Sequence, residues 1–269
     1  MATFTRPAPA QRTPPAIRRA LLVIAGLIAV GLVVSGSYTL LDLAARHTST
    51  ERATFDGVRA LVVEDASDVR ITSAPAGAPV TVLARITEGL GGPSRSMERT
   101  ADGALRLSTS CPVFFGGSCD VDYDIRVPSG TLVRAESHSG DVNVENLVAT
   151  EPVELHSSAG DVSAIGVTAP SIELSSSAGD VEGRDLSAAR IRAESSAGDV
   201  SVALRTPAAS LVADSSAGDV EVFVPDAVYD VAATSSGGDV DARVSSDPDS
   251  PRKLTAHSSA GDVRVAVRR

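Results

Sequence analysis

The chain has no tryptophan, 3% aromatic residues, two cysteines and four histidines in 269 residues. Each shortage excludes something. Nucleic-acid binding needs basic patches and stacking surfaces, whereas the formal charge here is −10. Residues 1–19 hold four arginines (Arg6, Arg12, Arg18, Arg19) and no acid, so the remainder carries −14. The scarcity of aromatic platforms speaks, less firmly, against sugar binding. No G-x-S-x-G, no H-E-x-x-H and no phosphate-cradling loop occurs. These absences point away from an enzyme, and nothing in the sequence calls for a cofactor.

Two cysteines cannot supply a zinc site with the ligands around them. Cys111 and Cys119 bracket "PVFFGGS", with proline at one end and Gly-Gly near the other. Outside a membrane such a pair predicts a disulfide across a short loop, worth about 2–3 kcal/mol on the chain-entropy model. Phe114 and Phe115 lie in that loop. They either pack on the end of the core or form an exposed contact patch.

One long apolar run is present, "ALLVIAGLIAVGLVVSGSYTLLDL" at 20–43, free of charge until Asp42. About 20 apolar residues in a helix cross a hydrocarbon core. The run predicts a transmembrane helix over 20–43, preceded by a disordered, Pro-rich basic tail (1–19) and followed by a linker (44–52). Arginine on the N-terminal flank places the N-terminus in the cytoplasm and the bulk outside. A cleaved signal peptide, cut near Ser35, is the competing reading. Apolar residues beyond that point (Tyr38–Leu41) favour the uncleaved single-pass anchor.

What the rest of the chain has in abundance is a repeat. Copies of S-S-A-G-D-V align on Gly140, Gly160, Gly179, Gly198, Gly218, Gly238 and Gly261, spaced 20, 19, 19, 20, 20 and 23 residues apart. The last interval is stretched by "SSDPDSPRK" (245–253). A sustained period near 20 is a solenoid signature, because no unit can bury its apolar face alone. In "LVADSSAGDVEVFV" (211–224), Leu211 and Ala213, then Val220, Val222 and Val224, alternate with polar residues. That is strand periodicity. Two strands per turn predict an all-β fold, a parallel β-solenoid of 20-residue turns. Stacked at about 4.8 Å, seven turns span roughly 34 Å.

Each column of the repeat then becomes a stripe. The valines (Val142, Val162, Val181, Val200, Val220, Val240, Val263) point inward. The glycines are corner residues, expected to supply a positive φ. The leading serines keep a small hydroxyl that can bond along the stack or to the corner backbone. The aspartates (Asp141, Asp161, Asp180, Asp199, Asp219, Asp239, Asp262) are read either as caps for corner N–H groups or as a calcium ladder. One Asp in 20 residues is sparse beside the nine-residue period of calcium-binding solenoids, so no metal site is assigned. His156 and His257 share an outward column with Glu136, Glu194 and Asp214 and are read as solvated.

Residues 53–135 alternate less regularly, in "VRALVVED", "SDVRITS" and "CDVDYDIRVPSGTLVRAES". They predict irregular turns that cap the N-terminal end ahead of the regular repeats at 136–269. The C-terminal end has no such cap. It stops at "VRVAVRR", with Arg264, Arg268 and Arg269 as the only guards against end-to-end stacking.

The "VRALVVED…SDVRIT" opening, the central "IRVPSGT" and the repeated S-S-x-G-D-V-x-V together resemble the putative-adhesin β-strand-repeat family of bacterial envelope proteins, over about 53–269. The resemblance implies a β-solenoid displayed outside the cell, and it carries no catalytic residues. The expected function is a membrane-anchored binding or adhesin-like module whose partner is an envelope protein or cell-wall polymer, not a nucleic acid. The alternative is a structural or envelope-stress sensory scaffold that docks a membrane partner or self-associates through its C-terminal end.

Overall fold

The computed structural model describes residues 15–90, 92–110 and 119–268. Helix α1 (Pro15–Ala45) opens the chain. Pro15 stands in the first turn, where a missing N–H costs nothing. The expected disordered tail therefore ends sooner than residue 19; residues 1–14 lie outside the described residues. Leu22–Ala45 is long and apolar enough to cross a membrane, and its large apolar side chains face outward, unpacked on the rest of the protein. Asp42 is the exception. It is buried and accepts the Leu90 N–H at 2.8 Å, joining the helix end to the end of the strand Val80–Glu88.

The expected linker at 44–52 is not a linker. Strand β1 (His47–Phe55) begins there, one residue after the helix stops. Its alternation of Thr and charged residues pairs it antiparallel with β4 (Val80–Glu88) over nine residues.

Two sheets face each other across one core. Sheet A runs β1, β4, β7 (Cys119–Pro128), β3 (Val69–Ala74), β9 (Val142–Glu145) and β11 (Val162–Ile165). It continues through β13 (Val181–Leu186), β15 (Val200–Leu204), β17 (Val220–Val224), β21 (Val263–Val267) and β19 (Val240–Arg243). Sheet B runs from β5 (Ser94–Arg99) through β6 (Ala104–Ser110), β2 (Ala60–Ala66), β8 (Leu132–Ser137) and β10 (Val153–Ser157). It then passes through β12 (Ser171–Ser176), β14 (Arg190–Ser195), β16 (Ser210–Ser215) and β20 (Lys253–Ser258) to β18 (Asp230–Ser235). All pairs are parallel except β1–β4, β4–β7 and β5–β6. The N-terminal cap therefore combines true turns of the stack (β2 with β3, β6 with β7) with added antiparallel strands that cover its edge.

Inward positions are filled by Val, Leu, Ile and Ala, nearly all of them fully buried. Burying each Val or Leu contributes about 1.5–3 kcal/mol. Repeated over the stack, this apolar column holds two sheets whose outer faces are polar.

The order of the last two turns departs from the sequence. Strands β20 and β21 insert between the turn of β16–β17 and the turn of β18–β19. The chain skips a position after Val224, builds the terminal turn, then returns through 244–252 to fill the gap. The "SSDPDSPRK" segment thus carries the return crossover into β20. The swap buries the more apolar repeat: Leu254 and Val265 occupy the inner position, whereas the terminal turn offers Val231 and Ala242 at the same registers. Each additional buried methylene favours this order by about 0.8 kcal/mol.

The open end of the solenoid is therefore the penultimate repeat. The expectation of an exposed "VRVAVRR" edge is overturned.

Candidate functional site

The S-S-A-G-D corner gathers most of the residues singled out by the repeat. The leading serines are buried except Ser235, which is half-buried at the open end, and each hydroxyl donates to a carbonyl of the adjacent turn. Ser195 Oγ bonds Gly179 O and Ser215 Oγ bonds Gly198 O, both at 2.8 Å. Ser258 and Ser235 continue the pattern onto Gly218 and Gly261. A buried hydroxyl leaves no penalty when its bond is made. These serines are consumed by the scaffold and are not nucleophiles.

The corner glycines do not have positive φ, contrary to the expectation. Left-handed residues occur instead at the opposite corner, at Asn146, Gly166 and Asp185, with φ of 53, 68 and 53°. Asn, Asp and Gly are the types that tolerate that region. Glycine is required in the repeat for a different reason. A Cβ on Gly198 would stand 2.3 Å from Gly179 O, and the same distance recurs at Gly160, Gly179, Gly218, Gly238 and Gly261 against the glycine carbonyl of the turn next to each. At Gly140 the obstructing carbonyl belongs to Ser67. Contact between stacked backbones, not chain reversal, fixes this column.

The aspartates form an exposed ladder in which each carboxylate accepts the backbone N–H of the next Asp. Asp141 Oδ1 accepts from Asp161 at 2.9 Å, and Asp161, Asp180, Asp199 and Asp219 each accept from the following rung at 2.8 Å. The rung after Asp219 is Asp262, which in turn accepts from Asp239. The ladder also extends backwards. Asp68 caps Asp141, and Asp122 accepts from Asp68. Asp68 was visible in the worn copy "ASDVRIT"; Asp122 shares its column because Val69 pairs with Tyr123.

Unscreened carboxylates at this spacing repel by about 1 kcal/mol per pair in water. The N–H in each gap offsets that. Asp122 is pushed above the ordinary carboxylate range, first by burial and then by the Asp68 charge. Among the described residues no group of three or more His, Cys, Asp or Glu side chains is placed to hold a metal.

The outer face of sheet B carries a different feature. A bulge between Val63 and Ala66 shifts the register of β2 against β8, with Asp65 in the left-handed region. Beside it opens a shallow groove of about 480 Å³. Arg106 and Glu64 form an ion pair at one end, and Arg134 bonds Glu154 at 2.5 Å in the middle. Glu136 and Glu173 also line the groove and have no ion-pair partner among the described residues. His156 sits between them, bonded to Ser175 Oγ at 2.9 Å. Sequence reading noted the column of Glu136 and His156 but missed Glu154, Glu173, Arg106 and Arg134. Their signal was their outward phase in successive strands, which parallel register stacks side by side.

His257 lies elsewhere on the same face and bonds Thr234, so the two histidines do not share a site. Phe114, Phe115 and Cys111 fall outside the described residues. Cys119, at the start of β7, has no free thiol.

A family model described as Toastrack DUF4097 matches residues 117–269, more than half of the chain. Comparison with curated proteins finds none that matches. Among solved structures, a "putative adhesin" from Bacteroides fragilis is 15% identical, with 82% of this chain and 97% of that one covered and a TM-score of 0.43. A "putative lipid binding protein" from Parabacteroides distasonis is 13% identical, covering 83% and 97%, with a TM-score of 0.43. A "putative cell adhesion protein" from Clostridium sporogenes is 10% identical, covering 82% and 100%, with a TM-score of 0.38.

Proposed function

The chain belongs to the Toastrack DUF4097 family, and from that premise we propose that it is a membrane-anchored, extracytoplasmic binding module of the cell envelope, adhesin-like and non-enzymatic. The carrying observation is the groove on sheet B. It is a solvent-open surface in which two carboxylates, Glu136 and Glu173, lack ion-pair partners among the described residues while their neighbours are already paired. Such a surface takes a cationic or hydroxyl-rich segment of an envelope protein or cell-wall polymer. Helix α1, apolar and unpacked, supports the anchor, and the arginines on its N-terminal flank support a cytoplasmic N-terminus. A Cys111–Cys119 bridge fits that external placement.

The test is direct binding. Full-length protein in detergent micelles is challenged with purified cell-wall polymer and with a lysine-rich peptide. Glu136→Gln with Glu173→Gln is expected to weaken the bound ligand by tenfold or more, since each lost charge-assisted bond removes about 1.5–3 kcal/mol. Unchanged binding by the double variant would remove the groove from the reading.

The scaffold alternative is favoured by one observation of its own, the uncovered end formed by β18 and β19.

A further inference from the structure

At the β18–β19 end the inner column of the solenoid is open to solvent. Val240 is 45% exposed, whereas the valine at its register in β21, Val263, is 1% exposed. Val231, Ala233 and Val244 are only partly buried. Of the usual guards the edge keeps two, the shortness of β19 (Val240–Arg243) and the charges of Asp241 and Arg243. It has no proline, its strands are regular, and the one lysine nearby, Lys253, is tied to Asp230.

Backbone polarity at this edge is set by the parallel ladders behind it. Asp230 N–H bonds Arg252 O, and Ser236 N–H bonds Ser258 O. In a parallel pair alternate residues face the partner, so Val231, Ala233 and Ser235 direct their N–H and C=O outward. Val263 N–H bonds Asp239 O, which by the same rule leaves Val240 and Ala242 facing outward from β19.

The geometry points to a second copy of this chain as the occupant, docked end to end about a twofold axis perpendicular to the sheets. The axis passes between Ala242 and its mate in sheet A, and between Ala233 and its mate in sheet B. Both are outward-bonding residues, so both strands meet their copies in hydrogen-bonded antiparallel register at once. The same register sets Val240 opposite the partner's Val244 and Asp241 opposite the partner's Arg243. Within one chain Asp241 and Arg243 already bond at 2.8 Å and remain largely exposed, at 44% and 76% of their side-chain surface. Across the axis they make two opposite-charge pairs, and no like charges meet. On β18 the same register sets Asp230 opposite the partner's Ser236 and leaves only Ala, Val, Thr and Ser between.

The end of the stack is about one short strand long and one sheet spacing wide, roughly 200 Å² per copy. That is below the size of a standard stable interface, so the pairing is weak and concentration-dependent. The twofold also reverses the strands. Helix α1 enters at the start of β1, on the edge where the S-S-A-G-D corners lie. Reversal sends the two helices to opposite edges. Resting on the reading of α1 as an anchor, this dimer joins facing membranes and not neighbours on one.

The experiment is sedimentation of full-length protein in detergent micelles across concentration, with charge exchange at the edge. The unaltered chain is expected to dimerise. Asp241→Arg alone and Arg243→Asp alone should each stay monomeric, because like charges then face each other. Mixed together, the two variants should pair with each other, and the double variant should recover dimerisation. Oxidised Ala242→Cys should crosslink to itself, since Cα atoms in such pairs lie about 5.5 Å apart. A unaltered chain that is monomeric throughout, single variants that dimerise like it, or single variants that fail to pair when mixed would each overturn the interface. Association through α1 would be blind to these exchanges. Vesicles carrying the chain should cluster, and dimers in micelles without clustering would overturn the facing-membrane arrangement alone.

Discussion

Truncating two valines separates the spatial order of the turns from their order in the chain. Val265 belongs to the last repeat in sequence but is 0% exposed, while Val240 belongs to the one before it and is 45% exposed. Val→Ala removes two carbons, about 1.6 kcal/mol of transfer free energy when fully buried. The cavity left in a packed column brings Val265→Ala to about 2–3 kcal/mol. Val240→Ala loses roughly half the transfer term and leaves a hollow that water can fill, so its cost is about 0.5–1 kcal/mol. For a domain of this size the urea dependence is about 2–3 kcal/mol/M. Val265→Ala should therefore lower the midpoint by about 1 M and Val240→Ala by about 0.3 M. Urea titration of the full chain in micelles, followed by circular dichroism of the strands, measures both. If Val240→Ala proves the more damaging of the two, the turns stack in sequence order and the inserted final repeat is wrong.

Gly198→Ala should destabilise far more than Gly77→Ala, because its Cβ meets Gly179 O at 2.3 Å, whereas at Gly77 nothing lies within 4 Å and only the φ of +76° resists the change, at a cost of about 1 kcal/mol; thermal melts would show it, and equal losses would contradict backbone contact as the reason for the glycine column. Ionised Asp122 opposes folding, since its folded pKa is raised above the ordinary 3.8. Its contribution is complete below that value and is lost as pH rises through the folded pKa. Asp122→Asn should consequently unfold at higher urea than the parent at pH 7 and lose that advantage at pH 3. EDTA should leave the melting temperature unchanged, because the stripe's Oδ1 atoms already accept amide protons; a drop on chelation would restore the calcium ladder. Under non-reducing conditions thiol labelling of the denatured chain should find no cysteine, and reduction should expose both Cys111 and Cys119.

The corner shows how far a repeat can be read without coordinates. Strand alternation on either side of S-S-A-G-D, the inward valines and the small residues at the bend all follow from period and side-chain size. The sequence also allowed the aspartates to cap backbone N–H groups. It did not reveal that each caps the next rung, because those bonds link residues from 19 to 73 apart and depend on stacking distance. Glycine was misread for a related reason. A residue without Cβ is needed for positive φ and for close approach alike, and only the neighbouring turn's carbonyl distinguishes them. The groove was hidden because Arg134, Glu154 and Glu173 look like ordinary outward residues until parallel register sets them side by side.

The final two repeats were misplaced because a period measures spacing along the chain and says nothing about which turn lies outermost. Two signals did bear on it. The interval of 23 residues announced extra chain where a return crossover needs length, and the inner column of the Gly238 repeat is the poorest in the stack, with Val231 at the register of Leu254, Leu211 and Ile191 and Ala242 at that of Val265, Val222 and Val202. Burial of Leu254 and Val265 in the interior rung rewards that length. The result is an end made from the least apolar repeat, which limits the cost of leaving it uncovered, but made also from regular strands whose outward N–H and C=O groups still lack partners. A sequence selected only to hide its last turn would place charge or proline inward there. This one keeps Val240 and Val244 on the inner face and a single Asp241–Arg243 pair outside, the pattern of an edge that is weakly protected and self-complementary.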